Sequence, residues 1–153
     1  MTFPDKIERT LELAHSPEKV WAALTTAEGL GTWFGNRAEV DLRVGGQATL
    51  TWDSGDTATL TIKLLEPPRV FAYSWPVYGL PDGDPRRTYV EFTLEPTGTG
   101  TTLTMIESGF AQVSDTEAHA TAFNGNTKGW LSELGELVAY LDGHRPRRVP
   151  APR

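Results

Sequence analysis

Apolar and polar residues alternate from Lys6 to Ala14, with Ile7, Leu11 and Leu13 on one side and Glu8, Thr10 and Glu12 on the other. That period of two predicts a half-buried strand. His15-Ser16-Pro17-Glu18 then reads as a helix start, Ser16 serving as N-cap and Pro17 occupying the first helical position. Val20, Trp21 and Leu24 form the buried face of that helix, and a second short helical piece near Ala27 to Phe34 carries Leu30, Trp33 and Phe34. After Gly35 the period returns to two. Val40, Leu42 and Val44 alternate with Glu39, Asp41 and Arg43 up to a Gly45-Gly46 hairpin turn. Ala48, Leu50 and Trp52 follow, then Ala58, Leu60, Ile62 and Leu64, with a turn at Ser54-Gly55-Asp56 between them and Pro67-Pro68 after them. Arg69 to Trp75 places Phe71, Tyr73 and Trp75 on one face. Val77 to Arg87 is a loop. Val90, Phe92 and Leu94 mark the next strand, and Leu103, Met105, Glu107 and Gly109 share a face of the last.

From Asp115 to Asp142 the period lengthens to that of a helix. Phe123, Trp130, Leu134, Leu137 and Leu141 fall on one stripe, flanked by Val138 and Ala120, with Lys128, Ser132 and Glu136 opposite. Ser114 or Asp115 caps its start, and Gly143 with Pro146 ends it. Asn124-Gly125-Asn126, Gly129 and Gly135 are its weak points, since an internal glycine costs about 1 kcal/mol relative to alanine, so a bend or fraying is expected there.

The order is one strand, two short helices, six strands and one long helix. Hairpin-joined strands make an antiparallel sheet with a face to cover, and only the last helix is long enough to cover it. The expected fold is α+β, a curved seven-stranded antiparallel sheet wrapped around the C-terminal helix, with room for a cavity between them. Residues 1–143 form the single domain at this length, and 144–153 are a basic, proline-rich tail expected to be disordered.

Composition narrows the function. With no cysteine there is neither a disulfide framework nor a thiol nucleophile. The net charge is −6, but four arginines and no acid lie in the tail, which leaves ten basic against twenty acidic side chains, net −10, on residues 1–143. An acidic body argues against a nucleic-acid groove. No apolar run approaches the ~20 residues of a membrane span, and the N-terminus lacks the pattern of a signal peptide, so a cytoplasmic protein is expected. His15, His119 and His144 have no metal-ligand spacing, and no GxSxG elbow or phosphate-cradling glycine loop occurs. No metal, no cofactor and no recognisable catalytic constellation is expected.

Glu107 stands out because alternation puts its carboxylate on the inward face beside Leu103 and Met105, where it is costly unless paired or wet. It reads either as a polar anchor or general base in the cavity, or as a carboxylate that a bulge near Gly109 turns to solvent or that pairs structurally with an arginine. Asn126, with His119, lies beside the apolar stripe of the long helix and reads either as a ligand contact or as a partner for backbone at the Asn-Gly-Asn irregularity. Trp33, Trp52, Trp75 and Trp130, with Tyr73, Phe92 and Phe110, supply inward aromatic area for the wall of an apolar site or for core packing. Asp82-Gly83-Asp84-Pro85 could touch a cation but reads equally as turn residues, and Arg86 and Arg87 read as solvated, with a lid over the cavity entrance as the sharper alternative.

The run IERTLELAHSPEKVWAALTTAEGLGTWFG, followed by VGG, EPPRVFAYSW, VEFTLEP, GTTLTMIESGF and NTKGWLSELGELVAYL, resembles the Activator of heat-shock-protein-90 ATPase homologue family. That family lies in the START-like, helix-grip (SRPBCC) superfamily, and the resemblance spans about Ile7 to Leu141. It implies the same sheet gripping the same helix. Eukaryotic chaperone activators of the family carry a further N-terminal domain, for which a first strand opening at Lys6 leaves no room, so a bacterial stand-alone type is expected. Superfamily relatives bind lipids, hormones or polyketides in a central cavity, and a few are enzymes; fold alone does not choose among them. The resemblance implies a ligand site for a small apolar molecule, lipid-like or an aromatic metabolite. Its residues would be Glu107, Asn126, Trp130, Trp75, Trp33, Trp52, Phe110, Tyr73 and Met105. A chaperone partner, with a co-chaperone-like role, and a cavity enzyme using Glu107 as acid or base are the alternatives. Monomer and dimer are both compatible with the pattern.

Overall fold

A computed structural model describes residues 5–81 and 83–143. The strand β1 spans Lys6–Leu13. It is followed by helix α1 at Pro17–Thr25, the three-residue helix α2 at Ala27–Gly29 and a π-helical turn at Leu30–Phe34. Next come β2 at Arg37–Val40, β3 at Gln47–Thr51, β4 at Thr57–Glu66, β5 at Val70–Pro76, β6 at Arg87–Thr97 and β7 at Gly100–Ser108. A short 3₁₀ turn at Phe110–Gln112 leads to helix α3 at Thr116–Leu141. Among the described residues the strands make one sheet in the order β1-β7-β6-β5-β4-β3-β2, every neighbouring pair antiparallel. No helix in this region is long and apolar enough to cross a membrane. The basic tail lies outside the described residues.

The expected caps are in place. Ser16 accepts from the Lys19 N–H, Pro17 sits in the first turn, and Asp115 accepts from the Ala118 N–H to start α3. At the other end of α3, the Lys19 ammonium donates to the Leu141 carbonyl at 2.8 Å and His15 bonds Asp142 at 2.7 Å. A cation at a helix C-terminus complements the helix dipole, so α1 and α3 are tied where the sequence shows no link.

Three features depart from the pattern reading. The strand expected to continue through Leu42 and Val44 stops at Val40, and those two side chains are 43% and 60% exposed. Residues 41–46 instead form a turn whose Gly45 N–H donates to the Ile62 carbonyl and whose Gly46 carbonyl accepts from the Ile62 N–H. The β4–β5 ladder shifts register between Ile62 and Leu64, which turns Leu64 out of the inward row. Helix α3 runs unbroken through Asn124-Gly125-Asn126. Packing accounts for Gly125, where an added Cβ would come within 2.4 Å of the Tyr78 ring, while Gly129 and Gly135 face open space.

A similar fit fixes the corner before the sheet. Gly29 packs so closely on α1 that an added Cβ would lie 2.5 Å from the Ala23 carbonyl oxygen. The Trp33 indole N–H donates to that same oxygen at 2.7 Å. The contact is with backbone, which cannot rotate away. Gly29→Ala should therefore destabilise the protein by about 1–3 kcal/mol, against the gain in helix propensity. Urea unfolding followed by circular dichroism reads this as a lower midpoint, and an unchanged or higher midpoint would contradict the packing account.

Candidate functional site

The inward row of β7 is Thr101, Leu103, Met105 and Glu107, all buried, and Glu107 has no exposed surface. Its carboxylate is surrounded by donors from three elements. Oε1 accepts from the Trp130 indole N–H at 2.8 Å and from the Asn126 side-chain amide at 2.9 Å, both on α3. Oε2 accepts from the Trp75 indole N–H of β5 at 2.8 Å, from the Thr88 hydroxyl of β6 at 2.5 Å, and shares the Asn126 amide at 2.9 Å. A carboxylate offers about four lone-pair positions, and these contacts occupy them. Neutral donors satisfy the group; the arginine partner weighed from sequence is not among its hydrogen-bond partners. Since an indole N–H can only donate, Trp75 and Trp130 each need an acceptor when buried, and one acidic residue serves both.

Around this group the rings interlock. Phe34, from the π-helical turn, stacks on Trp33 at 4.9 Å between ring centres and meets Trp52 edge-on at 6.1 Å. It also touches Trp75 at 5.8 Å and Trp130 at 5.7 Å. Trp130 meets Phe92 edge-on at 5.9 Å, and Tyr73 meets Trp75 at 5.4 Å. Of the residues expected at a ligand site, Glu107, Asn126, Trp75 and Trp130 share one carboxylate. Trp33, Trp52 and Tyr73 adjoin them, and Met105 lies in the same inward row opposite Phe92. Phe110 is set apart, packed edge-on against Phe123 at the start of α3. His119 is buried on α3. Thr88 and Phe34 were not expected. Thr88 shares its parity with Val90 and Phe92, which was the available signal, whereas nothing in the local pattern singles out Phe34 as the centre of the rings.

The sheet opens beside this cluster. Pairing of β4 with β5 runs from Glu66–Val70 to Thr61–Ser74 and stops, so the first residues of β4 part from the end of β5. The gap is a cleft of about 420 Å³ whose wall includes Trp52, Ala58, Thr59, Trp75, Val77, Tyr78 and Leu80. One side of it is the first part of the loop after β5, residues 77–80, which rests on α3 through the close contact of Tyr78 with Gly125. The far end of the loop is fixed by Asp84, whose carboxylate takes the Arg86 guanidinium at 3.0 and 2.8 Å and the Arg86 N–H at 3.0 Å. Those hydrogen bonds hold the Asp84 carboxyl down at about 2. Arg86, expected to be solvated, is a loop clamp, and Asp84 is used by it. Arg87 is half-buried and bonded to β4 and β5. A second hollow, about 670 Å³, lies between α2 and β2 and is lined largely by polar side chains such as Glu28, Arg37 and Glu39. Among the described residues no group of histidine and carboxylate side chains could hold a metal ion.

The profile of the Activator of Hsp90 ATPase homolog 1-like proteins matches residues 14–142. Among solved structures, protein MLL2253 of Mesorhizobium loti is 30% identical with a TM-score of 0.76, the match covering 90% of this chain and 97% of that one. The Aha1 dimer of Colwellia psychrerythraea is 26% identical with a TM-score of 0.68, covering 89% of this chain and 95% of that one. CalU16 of Micromonospora echinospora is 26% identical with a TM-score of 0.66, covering 93% of this chain and 76% of that one. No curated protein matches.

Two outcomes follow from the geometry. Glu107→Gln keeps the shape but turns an N–H₂ toward donors, so at least one buried donor loses its acceptor. A loss of about 3 kcal/mol is expected, read as a lower urea midpoint with weakened near-UV tryptophan dichroism. An unchanged midpoint would mean the carboxylate is not what holds these rings. The Asp84 clamp should outlast ordinary carboxylate titration. With its folded pKa near 2 and its unfolded value near 3.8, its contribution is complete above 3.8 and is lost as pH falls through about 2. A side-chain carbon NMR titration of Asp84 with a midpoint near 4 would contradict this.

Proposed function

The chain belongs to the Activator of Hsp90 ATPase homolog 1-like family, and from that premise we propose that it binds a small, largely apolar molecule in the aromatic cleft between β4, β5 and residues 77–80. The observation that carries this reading is the parting of β4 from β5 beside Trp52 and Trp75. The parting leaves a hollow of about 420 Å³ that reaches the edges of both rings, which are otherwise buried, at 5% and 2% exposure. That size falls within the ~300–1,000 Å³ of small-molecule sites, and its aromatic wall suits a flat apolar body.

Glu107 acts in this reading through the walls. Its oxygens hold the Trp75 and Trp130 indoles and the Asn126 amide, so the inner aromatic surface is rigid before a ligand arrives. A preorganised wall loses little side-chain freedom on binding. Tyr73, Trp33 and Met105 back that wall from the core.

The test is fluorescence titration with the neutral probe N-phenyl-1-naphthylamine, alongside Ala58→Phe, which fills the cleft from the β4 side. Saturable binding that weakens at least tenfold in Ala58→Phe is the expected result. Absent binding, or binding indifferent to Ala58→Phe, would overturn the cleft as the site.

A further inference from the structure

Alternation along β6 sends Thr88 inward to Glu107 and its neighbour Arg87 to the opposite, outer face of the sheet. There the Arg87 guanidinium bridges the place where β4 and β5 part. Its Nε donates to the Ser74 hydroxyl at 3.0 Å. Its Nη2 donates to the Ser74 carbonyl at 2.9 Å, the Thr59 carbonyl at 3.2 Å and the Thr61 hydroxyl at 3.4 Å. Thr59 is itself a wall residue of the cleft, and Pro76, the β5 partner of Arg87, lines it too. Arg87 itself lines an adjoining hollow of about 260 Å³ that shares Pro76, Val77 and Leu80 with the cleft, so the cation stands beside the cleft.

All four acceptors are neutral. Among the described residues no carboxylate lies within 4.0 Å of this guanidinium, and its Nη1 makes no hydrogen bond. The acids nearest along the chain are engaged: Asp84 by Arg86, and Glu91 by the Tyr89 hydroxyl. Burial lowers the pKa of Arg87, with no charged partner offsetting it. A guanidinium has five N–H donors in a planar fork suited to oxyanions. Joining the parted strands takes only the Nε and Nη2 donors. The remaining edge of the fork is left over, on a cation that has lost part of its hydration.

We propose that Arg87 is the anion-recognising end of the cleft, so that the molecule bound there is an amphipathic organic acid, with its apolar body against Trp52 and Trp75 and its oxyanion on Arg87. This rests on the cleft reading above and adds the charge of the ligand to it. It also gives the loop a reason for the Asp84–Arg86 clamp, which keeps the neighbouring carboxylate occupied instead of facing Arg87.

The test compares two probes with one skeleton: N-phenyl-1-naphthylamine, which is neutral, and 8-anilinonaphthalene-1-sulfonate, which adds one anionic group. The wild-type protein should bind the sulfonate at least tenfold more tightly in low salt, and the advantage should shrink as sodium chloride is raised while the neutral probe is unmoved. Arg87→Gln should erase the difference and leave the neutral probe within twofold, whereas Arg37→Gln, on β2, should preserve it. If both probes bind equally, or the preference survives Arg87→Gln, Arg87 is not the anion site although the cleft stands. If neither binds, the cleft reading has failed first and the proposal with it. Should Arg87→Gln not fold, the Arg87 Nε–H resonance of the wild-type protein decides: it should shift with the sulfonate and not with the neutral probe, and a resonance still under both overturns the assignment.

Discussion

One buried carboxylate joins the two layers of this protein. Glu107 on β7 takes donors from β5, β6 and α3, so the sheet's centre and the helix it wraps are fastened at a single acidic group. The arrangement answers a problem that tryptophan creates. Packing indoles against each other contributes large apolar burial, but each N–H must find an acceptor in a place with little water. Placing one acceptor-rich side chain between two indoles and an amide satisfies all of them, and fixes the helix's rotation about its own axis at the same time. Apolar packing alone would specify that rotation less sharply, because neighbouring stripes of similar residues can substitute for one another.

The remainder of the core follows from that anchor. Phe34 enters from a π-helical turn whose position depends on Gly29 lying flat on Ala23, and its ring then touches four tryptophans. The helix keeps Gly125 where Tyr78 comes down upon it, so the loop that borders the cleft is seated on the same element Glu107 holds. The cleft, its aromatic wall and its loop are thus linked mechanically through α3. This gives the family's sheet-and-helix grip a concrete meaning here: the grip positions a pre-shaped hollow at the edge of the aromatic cluster.

Arg87 and Glu107 show how one short stretch can serve two faces. Thr88 turns inward to the carboxylate and Arg87 outward to the parted strands, a division of labour imposed by the pleat. An acidic group sealed inside and a basic group on the outer face sit on adjoining strands, and the basic one has donors to spare. That asymmetry separates a residue that organises the aromatic cluster from one with unused donors.

The order of elements, the inward rows of β5, β6 and β7, the caps of α1 and α3, and the presence of a carboxylate among apolar residues are all written in local periodicity, and the chain's segments already resembled their family. Periodicity reports which side a residue faces, which is why Glu107, Trp75, Trp130 and Asn126 could be named from the sequence. It does not report what lies across the gap. That Glu107 meets indoles and an amide, that Phe34 is the hub of the rings, and that Gly125 is there for Tyr78 were decided by contacts between residues far apart in the chain. The end of β2 at Val40, the parting of β4 from β5 and the burial of Arg87 were decided the same way. Such contacts depend on strand register and helix rotation, which only the assembled layers fix, and for that reason tertiary structure, not pattern, turned a list of aromatic residues into a cleft.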